Sequence, residues 1–428
     1  ILGGNTSSLA SMMRRLAAGE EPASSLKHKK AAVSLHFSGN MIPLLVVDLG
    51  DIQLDTSSTS PAKSLAAIAL EEGLFAKEQD CADYAGTALR GHTLMLVSES
   101  EPLVNSSSRH ITGGVSVLSA KGFTQAASLS KGKNAIFINH DYASKLITFG
   151  MNRRFNRYAS FLGNLVPWSS LSITEDKPDH LSMKGQFSLE PDDAASYFNV
   201  FQGSGIPETR FPETLPSDTD FAISLSIPDL DTYFTNYRRY LDSRNQLDAY
   251  SASNIAARGA VGRTLEEWAK HLGIKEVCKA YFHGEKDLVS VTMCRTSGKN
   301  TVKDEGIHDN PLPSGAAALF GDLFSQDDNS SALYRKGWII TGSRPALEAI
   351  SREHFLDITM KDQIADARIA SRLPEKGSSF VLFYSAAEDP TLIDNSFRPT
   401  LSAAQGRKVF VVAALAAAIA ARLPGHVN

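Results

Sequence analysis

Three Ser-x-x-Lys pairs have a residue spacing that could support catalysis. In one class of acyl-enzymes, a lysine one helical turn after a serine activates that serine as a nucleophile. The chain lacks the Ser-Asp-Asn and Lys-Thr-Gly motifs of that class, and it has no Gly-x-Ser-x-Gly elbow and no phosphate-binding loop. Serine is also common enough here for such pairs to arise by chance. We therefore predict no catalytic residue in these pairs, which are Ser24/Lys27, Ser60/Lys63 and Ser128/Lys131.

The residue types that usually bind metals do not show the spacing of a metal site either. The 11 histidines are scattered along the chain, and the 3 cysteines form no CxxC motif. The run Asp327-Asp328-Asn329 resembles the start of a calcium loop, but the glycine and the closing glutamate of such a loop are absent. The sequence predicts neither a metal site nor a bound cofactor.

Two patterns could instead form binding surfaces. A predicted helix from Tyr142 to Leu165 carries basic residues that could lie on an anionic membrane or polymer, although a core helix with a solvated basic face is the favoured interpretation. On a second predicted helix, a tyrosine and arginine stripe could stack on a sugar or base, and packing against a sheet is favoured there. The candidate binding residues are Arg153, Arg154, Arg157, Tyr233, Tyr237, Arg238 and Tyr240.

Length and composition limit the class of protein. A chain of 428 residues exceeds one ordinary hydrophobic core, so we expect at least two domains. Hydrophobic residues make up 43% and charged residues 21%, which is typical of a globular protein. The 43 basic and 47 acidic side chains give a net charge of −4, which argues against a nucleic-acid partner. Three cysteines are too few for a disulfide-dense scaffold.

The elements that would position any site recur at an offset close to 245 residues. The segments Lys30–Gly50 and Val277–Arg295 both have the pattern of a β-hairpin, and each follows a short amphipathic helix. An Ala-rich helix, a strand and a proline-initiated segment follow each hairpin in the same order. Ala135–Ile138 and Phe380–Phe383 then match as strands. The pattern predicts an internal duplication.

The predicted architecture is α+β, with two similar lobes of mainly antiparallel sheet and helices packed on them. The first lobe spans residues 1–195 and the second spans residues 220–428. A Pro/Gly-rich linker, residues 196–219, is expected between them because proline fixes φ and removes a backbone donor.

The second lobe begins with two elements that have no counterpart in the first. They are a predicted strand, Phe221–Ile227, and a predicted long helix from Asp229 to Tyr250. If the lobes are duplicates, the first copy is truncated, and its counterparts of these elements belong upstream of Ile1. We expect this to leave an open sheet edge in the first lobe.

Cys278 and Cys294 lie on opposite arms of the second hairpin, so register decides whether they can bond. A two-residue turn places Cys278 opposite Met293 and gives one apolar face; an odd-length loop places the two cysteines opposite each other. The first hairpin favours the odd-length alternative, because Val33 would then face Leu49. The local pattern of the second hairpin favours free thiols, with Cys278 in the core and Cys294 on the other face.

One part of the chain resembles a known family. Phe211–Leu241 has a proline, serine and Asp/Thr run, an apolar strand and a Tyr-Phe-x-x-Tyr-x-x-Tyr helix, and Trp168–Phe187 precedes it. This pattern resembles a family of anchored extracytoplasmic, cell-envelope proteins of Bacteroidetes type. The match covers about a quarter of the chain, and no catalytic residue carries over. The resemblance implies a periplasmic or outer-membrane-associated location, with membrane contact only through an anchor upstream of Ile1.

For function, the sequence favours a non-catalytic binding or scaffolding protein of the cell envelope. Envelope proteins or envelope polymer are the expected partners, and no cofactor is expected. The alternatives are an envelope hydrolase with scattered catalytic residues, which would need a cleft of convergent titratable groups, and a lipid or lipoprotein carrier, which would need an enclosed apolar cavity.

Overall fold

The architecture is taken from a computed structural model. It describes residues 8–19, 26, 29–38, 40–50, 61–81, 91–130, 134–150, 156–177, 180–283, 288–297, 306–326, 328–351, 359–362 and 378–384. Helices and antiparallel sheets make up these residues, which confirms the predicted α+β class.

The described residues form two compact units whose boundaries differ from the predicted lobes. Unit 1 takes its residues from 8–139 and 168–188, and unit 2 takes its residues from 140–167 and 189–384. The segment 196–219, predicted as a linker, contributes buried side chains to unit 2, among them Tyr197, Phe211 and Leu215. The proline and glycine content indicated irregular backbone in this segment. The segment packs against unit 2, however, and is not an extended linker between two lobes.

Unit 1 begins with a four-stranded antiparallel sheet and three helices. These elements are α1 (Ser8–Ala17), β1 (Ala31–Ser38), β2 (Asn40–Gly50), α2 (Pro61–Glu71), β3 (Phe75–Asp80), β4 (Thr93–Ser98) and α3 (Glu101–Thr112). The strand order is β1-β2-β4-β3. Helices α1 and α2 pack on one face, against Leu45 and Val97, and α3 packs on the other, against Leu44 and Leu96. Side chains alternate between the faces because strand periodicity is two.

A second, three-stranded sheet completes the described part of unit 1. Its elements are α4 (Phe123–Leu129), β5 (Ala135–Asn139), β6 (Trp168–Lys177) and β7 (His180–Phe187), with strand order β5-β6-β7. Strands β6 and β7 pair antiparallel to each other. The Phe123 ring packs against the Phe137 and Trp168 rings, with centroid distances of 5.3 and 4.8 Å, and so fixes α4 on this sheet.

Unit 2 is built on a seven-stranded antiparallel sheet. The strands are β8 (Thr219–Ser226), β9 (Glu276–His283), β10 (Leu288–Arg295), β11 (Ile307–Asp309), β12 (Ser331–Arg335), β13 (Trp338–Gly342) and β14 (Phe380–Tyr384). Their order in the sheet is β11-β12-β13-β10-β9-β8-β14. The described residues thus give seven strands to each unit, but in unit 1 these strands form separate sheets of four and three.

The described part of unit 2 contains seven α-helices. They are α5 (His140–Gly150), α6 (Asn156–Gly163), α7 (Leu230–Ser243), α8 (Leu247–Val261), α9 (Leu265–Leu272), α10 (Gly315–Phe320) and α11 (Arg344–Ser351). Helices α6 to α10 surround the core cluster on one face, and α11 covers the other face together with Phe211 and Leu215.

The predicted long helix from Asp229 to Tyr250 is wrong as a single element. The chain forms α7 and α8 instead, because Asn245 has a φ of 56° and interrupts the helical backbone between them. Asparagine is one of the few residues that adopts this conformation at modest cost. The neighbouring α9 has the ends its sequence encodes: Thr264 and Glu267 form a capping box, and Gly273 ends the helix in the left-handed region.

The two units share an order of elements and strands. Unit 1 runs α1-β1-β2-α2-β3-β4-α3, and unit 2 runs α9-β9-β10-β11-α10-β12-β13-α11, with β11 as an addition. Their sheet orders, β1-β2-β4-β3 and β9-β10-β13-β12, correspond strand for strand. In both units the first two helices lie on one face and the third lies on the other. A duplication would produce this likeness, and the duplication itself stays a prediction.

The second hairpin has the register that its local pattern predicts. Cys278 lies opposite Met293, and Cys294 lies opposite Val277. The two thiols therefore point to opposite faces of the sheet, and both are buried and free. The expectation for the first hairpin was wrong, because Val33 lies opposite Leu45 rather than Leu49.

No helix within the described ranges is long and apolar enough to cross a bilayer. The apolar run Val409–Ala421, which the sequence suggests is a strand followed by a helix, lies outside these ranges.

We expect Cys278 and Cys294 to resist alkylation in the folded protein and to react once denaturant is added, without any reductant. Burial raises the pKa of Cys278 well above its usual value and that of Cys294 to about 12, so neither forms the reactive thiolate near neutral pH. Mass spectrometry after alkylation measures this. Finding Cys81 as the one modified thiol in denaturant alone would indicate a Cys278–Cys294 disulfide and contradict the register.

Candidate binding site

The tyrosine stripe belongs to the core of unit 2. Tyr233, Tyr237 and Tyr240 on α7 are 0%, 3% and 7% exposed. The Tyr233 hydroxyl lies 3.2 Å from the hydroxyl of Tyr197, and these groups donate to the main-chain carbonyls of Leu319 and Phe320. Burial raises the pKa of each of these tyrosines. A sugar or base cannot stack on rings that are this deeply buried. The tyrosine stripe instead packs in the core, which is the alternative that the sequence favours.

Of the predicted basic residues, the structure describes the side chain of Arg238 alone. Arg238 pairs with Glu266 at 2.6 Å, and the Tyr250 hydroxyl donates to the same carboxylate. Arg157 lies in α6, and Arg153 and Arg154 lie outside the described residues. Arg238 is thus part of an ion-paired patch that fastens α7 to α9.

The described residues do not bring the Ser-x-x-Lys pairs or the potential metal ligands together into a site. Each Ser-x-x-Lys pair has at least one member outside the described residues, namely Ser24, Lys27, Ser60 and Lys131. The described residues hold no group of three or more His, Cys, Asp and Glu side chains that could bind a metal. Of the calcium-like run, Asp328 accepts hydrogen bonds from Ser330 in a local turn.

Glu276 is a buried carboxylate that the sequence did not single out. It is 0% exposed, and its oxygens accept from Ser224 Oγ at 2.8 Å and from the backbone amides of Arg210 and Phe211 at 2.8 and 3.2 Å. Arg295 Nε donates to it at 3.2 Å. Burial raises the pKa of Glu276, and these donors act in the opposite direction. All four donors are protein groups, so this carboxylate fastens residues 210–211 to the sheet.

Two concave regions are small and poor in reactive groups. One in unit 1, about 430 Å³, lies beside β3 and is lined by Leu70, Leu74, Phe75 and Val104 with Lys77 and Glu101. One in unit 2, about 210 Å³, is lined by Ile206, Glu208, Pro228, Lys275 and Arg295. Neither lining contains a serine, cysteine or histidine, so neither offers a nucleophile beside a base.

The two edges of the four-stranded sheet differ in chemistry. Strand β3 carries Lys77, Glu78 and Asp80, and charged side chains discourage another strand from pairing. Strand β1 has the sequence AAVSLHFS, with no charged residue, proline or glycine, and it pairs with β2 without a bulge. Burial lowers the pKa of His36, which keeps its ring neutral near pH 7. Residues 31–34 are exposed, Val33 by 37%. Within the described residues, the β1 edge therefore has none of the usual protection.

The register shows which amides of β1 face outward. Asp48 N donates to Lys30 O at 2.8 Å, so this residue pair is hydrogen-bonded, and every second pair along the hairpin is too. The alternation agrees with the position of Pro43. Its carbonyl points toward β4, where it accepts a hydrogen bond from Ser98 Oγ. The backbone N–H and C=O groups of Ala31, Val33 and Leu35 consequently point away from β2. Within the described residues, no strand pairs with them.

The corresponding edge in unit 2 is occupied. Strand β9 has the position of β1 in the shared strand order, and β8 pairs with it on the side away from β10. Among the residues that the structure describes, no strand of unit 1 thus holds the position next to β1 that β8 holds next to β9 in unit 2.

The chain matches no protein-family model, no curated protein and no solved structure. The cell-envelope resemblance stays a prediction.

We expect Glu276→Gln to destabilise the protein by about 3 kcal/mol, because it leaves Arg295 and two buried amides facing a neutral amide. Glu213→Gln is the matched control. That carboxylate pairs with the side chains of Arg210 and Lys361. Its side chain is 37% exposed, so its loss should cost less than about 1 kcal/mol. Urea unfolding of both variants measures the difference. Equal free energies of unfolding would show that the Glu276 contacts contribute no more than a surface ion pair.

Proposed function

We propose that the chain is a non-catalytic binding or scaffolding protein of the cell envelope that takes up an extended polypeptide segment on the β1 edge of unit 1. One observation carries this proposal: an uncharged, exposed edge strand lies where unit 2 accommodates β8. Adding a strand to a sheet edge is a common mode of peptide recognition, in which main-chain hydrogen bonds supply affinity and alternate side chains supply specificity. The cell-envelope part of the proposal rests on the sequence resemblance.

The chemistry of the edge defines the partner. Three outward residues whose N–H and C=O groups bond to no described strand call for an extended antiparallel segment of at least five residues. A charged side chain next to this edge would find no counter-charge on β1, so the segment should be uncharged. Nothing in the described residues favours the hydrolase or the carrier over this function.

A peptide with the uncharged part of β8, FAISLS (residues 221–226), is the direct probe, because these residues pair in regular register with the β9 strand of unit 2. With a fluorophore on the peptide, we expect saturable binding in an anisotropy titration. Val33→Pro should weaken it about tenfold or more, since proline removes one outward donor and its ring obstructs the incoming strand. The β2 ladder should survive, because the Val33 amide does not take part in it.

Glu78→Pro is the matched control for this titration. Cys81 N donates to His92 O at 2.9 Å, so the Glu78 amide faces outward from β3, on the opposite edge of the same sheet. The control should bind the peptide like the unaltered protein. Circular dichroism melting confirms that both variants fold. Equal affinity of the Val33→Pro variant would exclude β1 as the site.

A further inference from the structure

We propose that unit 1 docks on the surface of an anionic lipid bilayer through the VSVL loop, residues 115–118, which lies between α3 and α4. The apolar side chains of the loop enter the headgroup region, and the basic residues on either side of the loop pair with anionic headgroups. This surface uses residues other than those of the β1 edge, so it is a second site that goes beyond the proposed function and does not depend on it.

The VSVL loop concentrates exposed apolar side chains. Val115, Val117 and Leu118 are 60%, 46% and 53% exposed. The first and last residues of the loop have Cα atoms at most about 11 Å apart, because consecutive Cα atoms are about 3.8 Å apart. Single exposed apolar residues are normal on a protein surface, whereas a group of them marks an interaction site. The loop is therefore an apolar patch that the packing of unit 1 leaves exposed.

The charges on either side of the loop are basic. Residues 102–140 contain four Lys and Arg residues and no Asp or Glu, although acidic residues outnumber basic ones by 47 to 43 in the whole chain. Arg109, in the last turn of α3, and Lys121, three residues after the loop, are both exposed. Anionic headgroups attract Lys and Arg, and the bilayer interface takes up apolar groups. An acidic polymer would match the charges but would offer no apolar phase to the loop.

The backbone of the loop already satisfies most of its own donors. At least six of the eight amides of residues 113–120 donate to acceptors within residues 109–117. Among them, Leu118 N donates to Ser116 Oγ at 3.1 Å. The carbonyl of Leu118 accepts from Thr124 Oγ1 at 3.0 Å. Because an unpaired N–H or C=O group is costly in lipid, a loop with these internal bonds can leave water at less cost than an open loop.

Packed elements hold the loop on both sides. Before the loop, α3 packs on the four-stranded sheet, and Ser108 Oγ donates to the side chain of Gln79 on β3. After the loop, the Phe123 ring packs against the rings of Phe137 and Trp168 on the three-stranded sheet. Since both ends are fixed, docking has little conformational entropy of the loop to remove.

Flotation of the full chain with lipid vesicles tests the docking. We expect the unaltered protein to bind vesicles of phosphatidylglycerol and phosphatidylethanolamine at least about tenfold more tightly than vesicles of phosphatidylcholine, and to lose this preference at high salt. Replacing both apolar residues, Val117→Ser with Leu118→Ser, should weaken binding about tenfold or more, because apolar burial contributes to the affinity. Arg109→Gln should weaken it about fivefold.

Leu70→Ser is the matched control. Its side chain is 76% exposed, so the change removes a similar exposed apolar group from unit 1, but Glu71 and Glu72 follow it in the chain. This variant should bind the anionic vesicles like the unaltered protein. Circular dichroism melting shows whether each variant folds, and the comparisons of lipid and salt use the unaltered protein.

A fluorescent label reports directly whether the loop enters the bilayer. The three native cysteines are buried, so an environment-sensitive fluorophore should react with the cysteine introduced by Val117→Cys. We expect its emission to shift to the blue when anionic vesicles are added. The same label introduced through Leu70→Cys should show no shift.

Four results would overturn the docking. Equal binding to both kinds of vesicle would exclude an anionic bilayer as the specific occupant. Full binding by the Val117→Ser, Leu118→Ser double variant, or an equal blue shift at position 70, would exclude the VSVL loop as the site. Absence of vesicle binding, with a protein or an acidic polymer bound through the loop instead, would exclude the bilayer altogether. None of these results alters the expected binding of the FAISLS peptide, so the two proposals fail separately.

Discussion

A strand inside a sheet needs hydrogen-bond partners on both of its sides, and this constraint organises the chain. In unit 2 it is met along a continuous seven-stranded sheet, whose edges end in the short strands β11 and β14. In the described part of unit 1 the same order of elements gives a sheet of four and a sheet of three, and the edges of these sheets include an eight-residue strand without any charge. The proposed function follows from this difference between two otherwise similar arrangements.

The packing around the unit 2 sheet shows which contacts hold strand β8 in place. Strand β8 places Ile223 and Leu225 in the core cluster beneath α7, and Ser224 on its other face donates to the buried Glu276 carboxylate. That carboxylate in turn holds Arg210 and Phe211, so the backbone before β8 is fastened to the same sheet. The strand is thus secured by its ladder, by apolar burial and by one buried charge. In unit 1 the equivalent ladder groups of β1 have no described partner.

Much of the fold could be predicted from local pattern, and the failures have physical causes. The α+β class and the register at Cys278 follow from the alternation of side chains over fewer than about 20 residues. The division of the Asp229–Tyr250 helix depends on one backbone angle at Asn245. The packed state of residues 196–219 depends on contacts with distant strands, which a Pro/Gly count cannot reveal.

The candidate site was the harder part to predict. The stripe of Tyr233, Tyr237 and Tyr240 has the same spacing whether a helix face is buried or exposed, so its pattern could not decide between a core and a surface. Glu276 stands at the start of a strand, where polar residues usually meet water, and its donors come from residues that are 19 to 66 positions away. The repeat predicts an open edge in a truncated first lobe, and this stays a prediction. Strand β1 has a described partner on one side alone, but the described residues give each unit seven strands, and this equal number counts against a missing strand in the first lobe.

Residue-resolved hydrogen exchange along β1 in the free protein tests the central claim most directly. If the edge is open, the amides of Ala32, Ser34 and His36, which bond to β2, should exchange at least roughly tenfold more slowly than those of Ala31, Val33 and Leu35. Uniformly slow exchange at all six amides would show that a strand already pairs with β1, and would contradict an open binding edge.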